Sequence, residues 1–139
     1  MLFPKKVKHR KWHVMRSNPK KKRVETRGTT VAFGSFGLKA TTPARIKSTQ
    51  IEAARKAMQR NLKKAGRIWI RIFPDMPYVG RSGEVGMGKG KGDPQGYVFQ
   101  VWPGRVLFEI DGVDDALAHD TLMKGSAKLP LTARVVART

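Results

Sequence analysis

The chain has 139 residues, no cysteine, and 29 Lys and Arg against 10 Asp and Glu, which gives a formal net charge of +19. This length allows one domain with a modest core, and the lack of cysteine excludes disulfide frameworks, thiolate zinc sites and thiol nucleophiles. No stretch approaches the roughly 18 consecutive apolar residues of a membrane-spanning helix, so we expect no membrane partner.

The positive charge is confined to the first half of the chain. Residues 1–74 hold 21 of the lysines and arginines against two acids, whereas residues 75–139 hold eight cations and eight acids. A soluble domain gains little from repelling itself, whereas a polyanion would neutralise this charge and release counterions. The distribution therefore indicates a protein that binds nucleic acid.

Residues 1–28 are predicted to form a basic arm. Pro4 and Pro19 interrupt the segment, and its apolar residues follow neither a helical nor a strand period. Because it cannot bury enough apolar surface alone, we expect it to order only on RNA. Its Trp12 suits either stacking on an unpaired base or packing against a partner protein. The candidate RNA-binding residues of the arm are Lys5, Lys6, Lys8, Arg10, Lys11, Trp12, His13 and Arg16.

Residues 29–139 are predicted to form one globular domain. Thr29 to Ser35 and Leu38 to Thr41 have the composition of short strands. A helix is expected from Ser48 or Thr49 to Ala65, with Thr49 and Glu52 spaced as a capping box and Gly66 ending it.

The two faces of this predicted helix differ in character. One face is apolar and consists of Ile51, Ala54, Met58, Leu62 and Ala65. The other carries cations with no facing acid, which favours RNA contact over a merely solvated surface. These cations are Arg55, Lys56, Arg60, Lys63 and Lys64.

The second half alternates between strands and turns. Arg67 to Phe73 alternates as a strand, and residues 75–95, with six glycines and two prolines, are predicted to be a long loop. Residues 96–102 and 105–110 are expected to pair as a hairpin around Pro103 and Gly104. A helix that begins at the acidic turn of Asp114 and Asp115 and a strand from Leu131 to Arg138 complete the prediction.

One motif points toward an enzyme. Residues 83–90 satisfy the phosphate-binding loop pattern G-x-x-x-x-G-K up to Lys89, but Gly90 stands where a Ser or Thr would hold magnesium. The flanking sequence also lacks the required helix, so nucleotide hydrolysis is a weak alternative. His9, His13 and His119 are scattered, and we expect no metal site, no cofactor and no catalysis.

Several longer strings resemble one family. They are MLFPKKVKHRK at the start, FGSFGLKA at 33–40, QIEAARKAM at 50–58, RIWIRIFPD at 67–75, MGKGKG at 87–92, PGRVLFEIDGV at 103–113 and AKLP at 127–130. Their order resembles the family of ribosomal large-subunit protein sixteen of the bacterial and organellar type. The likeness covers nearly the whole chain.

The resemblance implies a single α+β domain of the hammerhead type, with two helices packed on a mixed set of strands. It implies a structural component of the large subunit, on a cytoplasmic or an organellar ribosome, that binds large-subunit rRNA and touches neighbouring ribosomal proteins. In the family the arm enters rRNA. A free-standing RNA chaperone with the same basic surface is the alternative.

The resemblance further implies that the glycine-rich loop, here residues 78–92, faces tRNA in the aminoacyl site and toward the peptidyl site. The tRNA-facing residues would be Arg81, Met87, Lys89 and Lys91. The chain departs from the family pattern in two places. Residues 18–27 are additional in the arm, and Gly86 replaces an arginine that is hydroxylated in many members, so this modification is not expected.

Overall fold

The computed structural model describes residues 1–13, 18, 20–80 and 90–139 of the chain. These residues form seven strands and two helices, which confirms the predicted α+β class. In chain order the elements are β1 (Phe36–Ala40), β2 (Ala44–Lys47), α1 (Ser48–Leu62), β3 (Arg67–Ile70), β4 (Met76–Gly80), β5 (Asp93–Val101), β6 (Val106–Asp111), α2 (Asp115–Ser126) and β7 (Ala133–Ala137).

The strands form two sheets. One has four strands in the order β3-β6-β1-β7, and the other has three in the order β2-β5-β4. All pairings among the described residues are antiparallel, whereas the resemblance implied a mixed set. Both helices pack on the strands and on each other, with α2 against β1, β6 and β7 and α1 against β2, β3 and β5.

The core lies between the helices and the four-stranded sheet. Leu38 of β1 pairs with Phe108 of β6, and both are fully buried. The predicted apolar stripe of α1 is confirmed for Ile51, Ala54, Met58 and Leu62, whereas Ala65 lies past the helix end and is exposed. Each fully buried Leu, Ile or Phe side chain contributes about 1.5–3 kcal/mol, so this stripe fixes α1 on the sheet.

Both ends of α1 differ from the sequence prediction. The helix follows directly from β2, and the amide of Lys47 donates to Oε1 of Gln50 at 2.9 Å. The capping box predicted at Thr49 and Glu52 is therefore wrong, because the helix starts at Ser48 and shifts the capping position by two residues. At the other end Lys63 and Lys64 take the left-handed conformation (φ 51° and 72°), so the chain has left the helix before Gly66.

The second helix and the last strand agree with the sequence. Asp114 caps α2 by accepting a hydrogen bond from the amide of Leu117 at 3.1 Å, as its place in an acidic first turn suggested. Gly125 is buried against α1, and a Cβ there would lie 2.6 Å from Sδ of Met58, so its lack of a side chain permits this close packing. The predicted strand at Leu131 to Arg138 is confirmed as β7.

The predicted hairpin of residues 96–110 is wrong. The turn exists, with Gly104 at φ 103°, but the strands on its two sides enter different sheets. The amide of Gly104 donates to the carbonyl of Ala40 at 2.8 Å, which ties this crossing to the end of β1. Strand pairing depends on distant partners, which the local turn signal of Pro103 and Gly104 does not contain.

Two further segments differ from the prediction. Residues 29–35 form no strand; residues 32–34 are held over the outer face of the four-stranded sheet by hydrogen bonds to Glu109. The loop expected over residues 75–95 is shorter, because β4 and β5 extend into it and pair along residues 76–80 and 93–98. The strand expected from Arg67 to Phe73 ends at Ile70, although the amide of Arg71 still donates to the carbonyl of Leu107 at 2.9 Å.

Candidate nucleic-acid interface

The exposed face of α1 presents most of the predicted cations to solvent. Lys56 and Arg60 of α1, and Lys63 and Lys64 directly after its last residue, are all exposed. None of these four makes an ion pair within the described parts of the chain. Cations left unpaired on one helix face are available to phosphates.

Arg55 differs from its neighbours because it has an acidic partner. Its Nε donates to Oε2 of Glu52 at 3.1 Å, one helical turn earlier, and its Nη1 donates to Gln59 at 2.7 Å. The hydrogen bond from Arg55 lowers the pKa of Glu52, and the same contact raises the pKa of Arg55. The expectation that this face has no facing acid is therefore wrong for Arg55.

A groove between the two helices extends the cationic surface of α1. It is lined by Arg60 of α1 and Lys63 at its C-terminal end, and by Lys124 and Lys128 from the second half of the chain. Asn61 at its floor accepts a hydrogen bond from Nζ of Lys124 at 2.7 Å. These two lysines could not be identified from the sequence, because only the packing of α2 on α1 brings them next to the basic face.

The groove is not uniformly cationic. Asp120 lies 3.4 Å from Nζ of Lys124, and Asn61 also donates to Thr121 at 2.7 Å. The ammonium group of Lys124 therefore contacts both the carboxylate of Asp120 and the amide oxygen of Asn61. The other three cations of the groove make no ion pair within the described ranges. The groove therefore keeps a net positive charge.

The start of the arm is held on the domain. Leu2 packs against the hydrophobic core, and the amino group of Met1 lies 3.9 Å from Oε2 of Glu52. The rings of Phe3 and Tyr97 meet edge to face with centroids 6.3 Å apart. The first residues thus have contacts that the sequence pattern of the arm did not indicate.

The middle of the arm meets the base of the glycine-rich loop. Nζ of Lys11 donates to the carbonyl of Lys91 at 3.3 Å, and Nζ of Lys91 donates to the carbonyl of Trp12. Arg10 lies 4.0 Å from the carboxylate of Asp93, where β5 begins. The structure therefore brings three predicted arm residues together with one predicted loop residue.

The end of the arm returns to the domain at the crossing between the sheets. The guanidinium of Arg23 lies over the ring of Trp102, 4.8 Å from its centroid, and the amide of Glu25 donates to Pro103 at 2.9 Å. The carbonyl of Gly28 accepts from the amide of Val106 at 2.8 Å. Both ends of the arm therefore contact the domain.

The predicted site residues fall into two described groups and one that lies outside. Lys5, Lys6, Lys8, Arg10, Trp12 and His13 are exposed in the arm, and Lys11 is half-buried beside the loop base. The α1 cations form a separate group. Arg16, Arg81, Met87 and Lys89 lie outside the described residues, as does Gly86.

A buried ion pair on the outer face of the four-stranded sheet was also missed. Glu109 of β6 is fully buried, and its Oε2 accepts from Nη1 of Arg71 at 2.6 Å. Its Oε1 accepts the amides of Ala32, Phe33 and Gly34 at 2.6, 3.0 and 3.4 Å. The sequence did contain a signal for this pair, since Arg71 and Glu109 each interrupt a run of apolar residues.

The ionisation of Glu109 follows from these contacts. Burial raises the pKa of Glu109, but the hydrogen bonds from Arg71 and from the three amides outweigh it and bring the pKa below its ordinary value. Glu109 therefore stays charged at neutral pH and fixes residues 32–34 over the sheet.

The structure gives little support to the phosphate-binding loop motif at residues 83–90. Of these, only Gly90 is described, and the chain then enters β5 at Asp93 where that motif requires a helix. Among the described residues no group of three His, Asp or Glu side chains is placed to hold a metal ion. Over the same residues, neither helix is long and apolar enough to cross a bilayer.

Comparisons with a family model and with known proteins agree on one family. The family model described as ribosomal protein L16p/L10e matches residues 4–136. Relatives named large ribosomal subunit protein uL16 are 51% identical in Afipia carboxidovorans, 53% in Nitrobacter winogradskyi and 53% in Parvibaculum lavamentivorans, each over 138 residues. These matches cover 99% of this chain and 98%, 98% and 96% of the respective relatives.

Proposed function

The chain belongs to the ribosomal protein L16p/L10e family, and we propose from this premise that it binds large-subunit rRNA through its arm and the cationic face of α1. As a member of this family it is a structural component of the large ribosomal subunit and not an enzyme. Its partners in this proposal are the large-subunit rRNA, neighbouring ribosomal proteins and tRNA.

The observation that carries the rRNA proposal is the group of unpaired cations on α1. Lys56, Arg60 and Lys63 are exposed and lack acidic partners among the described residues, and the groove adds Lys128, just past the end of α2. A surface of this kind gains free energy by releasing the counterions condensed on phosphates. Arg55 contributes less in this proposal, since Glu52 already neutralises it.

The test replaces Lys56, Arg60 and Lys63 together with Gln and measures binding to large-subunit rRNA over a range of salt concentrations. We expect weaker binding and a log–log salt slope that flattens by up to about 0.7–0.9 for each lost phosphate contact. The apolar stripe of α1 is untouched, so the fold should persist.

A matched control removes the same charge elsewhere. Lys39, Arg134 and Arg138, on or next to β1 and β7, can be replaced with Gln in the same way. If this control flattens the salt slope as much as the α1 variant does, binding depends on net charge alone and the α1 face has no special role.

The second part of the proposal concerns the glycine-rich loop. Its base, at Lys91, contacts Lys11 and Trp12 of the arm, so the arm and the base of the loop form one surface. We propose that Arg81, Met87, Lys89 and Lys91 face tRNA in the aminoacyl site and toward the peptidyl site.

Shortening the loop tests this part. A Gly-Ser turn in place of residues 81–90 keeps β4, β5 and Lys91, so thermal stability should stay near that of the unmodified protein. Ribosomes with the short loop should bind aminoacyl-tRNA more weakly or accommodate it more slowly. Unchanged tRNA affinity and accommodation would contradict the loop assignment and leave the rRNA proposal standing.

The chaperone alternative makes a different prediction about location. A structural protein should sediment with the large subunit, whereas a free-standing RNA chaperone should remain largely off it. Sedimentation of tagged protein in a salt range that preserves subunits separates the two.

A further inference from the structure

A partly exposed stack of aromatic and cationic side chains lies on the outer face of β3. The rings of Phe33 and Trp69 are stacked, with centroids 6.2 Å apart and planes inclined by 19°. The guanidinium of Arg67 lies 5.3 Å from the centroid of Trp69, and that of Arg71 lies 5.1 Å from the centroid of Phe33. Phe33 remains 55% exposed, although a ring of this size is usually buried in a core.

This stack lies on the sheet face opposite the helices. Trp69 is directly across from Glu109 in the register of β3 and β6, so the two side chains share one face. The neighbouring Ile68 and Ile70 point the other way and pack against the core. The stack is therefore separate from the cationic face of α1.

The position of Phe33 is fixed through its backbone. Glu109 accepts the amides of Ala32, Phe33 and Gly34, so this segment is pinned to the sheet by a buried carboxylate. Gly34 approaches β6 so closely that a Cβ there would lie 2.5 Å from the carbonyl oxygen of Ile110. Because the main-chain amide of Phe33 points toward Glu109, its ring points away from the sheet, and core packing is not needed to hold it there.

We propose that the Phe33–Trp69 stack is a platform on which an unpaired base of RNA stacks. Bases stack on aromatic rings in single-stranded RNA recognition, and this contact tolerates any base because each has a π face. Arg67 is exposed beside the rings and supplies the charge that a neighbouring phosphate requires. This charge favours RNA over an apolar protein partner. The inference rests on the proposed RNA binding and adds a second contact surface of a different chemical kind.

Trp69 fluorescence reports directly on the platform. A variant of the full chain with Trp12→Phe and Trp102→Phe leaves Trp69 as its one tryptophan. It is titrated with a short single-stranded oligouridylate and, in parallel, with duplex RNA of the same length. We expect the single strand to quench Trp69 and the duplex, whose bases are already paired and stacked, to leave it nearly unchanged.

Substitutions at Phe33 separate stacking from apolar contact. Phe33→Leu keeps an apolar side chain but removes the ring, and it should weaken single-strand binding about 5- to 100-fold with no change for the duplex. Phe33→Tyr retains the ring and should bind like the unmodified protein. Both variants should fold, since Glu109 holds the main chain at this position and not the side chain.

The control is Met123→Ala, which removes a comparably exposed apolar side chain from α2. It should leave binding of both RNAs unchanged. The platform is overturned if Phe33→Leu binds the single strand as tightly as the unmodified protein, or if single strand and duplex lose affinity equally. Either result would leave the salt dependence of the α1 variant intact, so the two proposals fail independently.

Discussion

Arg71, next to β3 of the four-stranded sheet, and the exposed cations of α1 have opposite surroundings. Arg71 donates to the buried carboxylate of Glu109 and to the carbonyl of Thr30, so its charge is used inside the molecule. Lys56 and Arg60 face solvent and have no acidic partner in the described structure. Both sets belong to the basic first half of the chain, so its net charge alone cannot distinguish cations that stabilise the fold from those left for a partner.

The difference arises from where the few acids are placed. Glu109 comes from the neutral second half and is carried by β6 to a position directly across from Trp69, where Arg71 can reach it. The helix α1 itself contains one acid, Glu52, and this carboxylate pairs with Arg55. Arg55 and Arg71 are each neutralised by one acid, Glu52 and Glu109 respectively, whereas the cations without such a neighbour stay available to a partner.

The largest expected effect in this comparison comes from Arg71→Met. Removing one partner of a buried ion pair leaves the other charge buried and uncompensated, and we expect a loss of about 3–5 kcal/mol in the free energy of unfolding. Urea denaturation followed by circular dichroism measures this loss. Arg67→Met, four residues earlier at the start of β3, is the matched control, because Arg67 is exposed and should change stability by no more than about 0.5 kcal/mol. Equal losses would show that the Glu109 pair does not determine the role of Arg71.

The pH dependence of stability sharpens the same contrast. Because the pKa of Glu109 is lower in the folded protein than in the unfolded chain, its stabilising effect is complete above the ordinary glutamate pKa and is lost as the pH falls through the lower folded value. Denaturation midpoints measured from neutral to acidic pH should therefore fall. In Glu109→Gln the decline should be shallower, starting from a lower stability at neutral pH.

Part of the acid sensitivity should remain in Glu109→Gln. Hydrogen bonds from Ser35 and from the Gly112 amide lower the pKa of Asp111, and Arg55 lowers that of Glu52. If Glu109→Gln and the unmodified protein lose stability in parallel over the acidic range, then Glu109 does not carry the effect assigned to it.

The smallest effect on stability should come from α1. Replacing Lys56, Arg60 and Lys63 with Gln should change the free energy of unfolding by only about 0.5 kcal/mol in either direction, since none of the three is buried. The same urea experiment measures it. A slight gain would agree with relief of repulsion among these like charges. A loss approaching that of Arg71→Met would remove the distinction between the two regions.

The elements found from sequence were those whose signals are local. The apolar stripe of α1 repeats with helical spacing, Asp114 marks the start of α2, and β7 alternates. Strands β2 and β4 were missed because they are short and lie next to Pro43 or among glycines and prolines. The crossing at Gly104 was mistaken for a hairpin because its two strands find partners far away in sequence.

The candidate site was predictable to a similar extent. The exposed cations of α1 follow from its period, since an apolar stripe on one side leaves the charged residues on the other. Lys124 and Lys128 could not be added from sequence, because their place beside Arg60 depends on how α2 packs against α1. The Phe33–Trp69 stack depends in the same way on the carboxylate of Glu109, which lies 76 residues from Phe33 along the chain.

The contact between the arm and the loop base has a consequence for sequence variation. Lys11 and Lys91 each donate to a main-chain carbonyl of the opposite segment, so each segment supplies one ammonium group and one carbonyl oxygen. Every residue has a carbonyl, so the side chain at position 12 can change among related chains without loss of this connection. Selection that preserves this connection therefore acts on Lys11 and Lys91. It places no requirement on the side chain of Trp12.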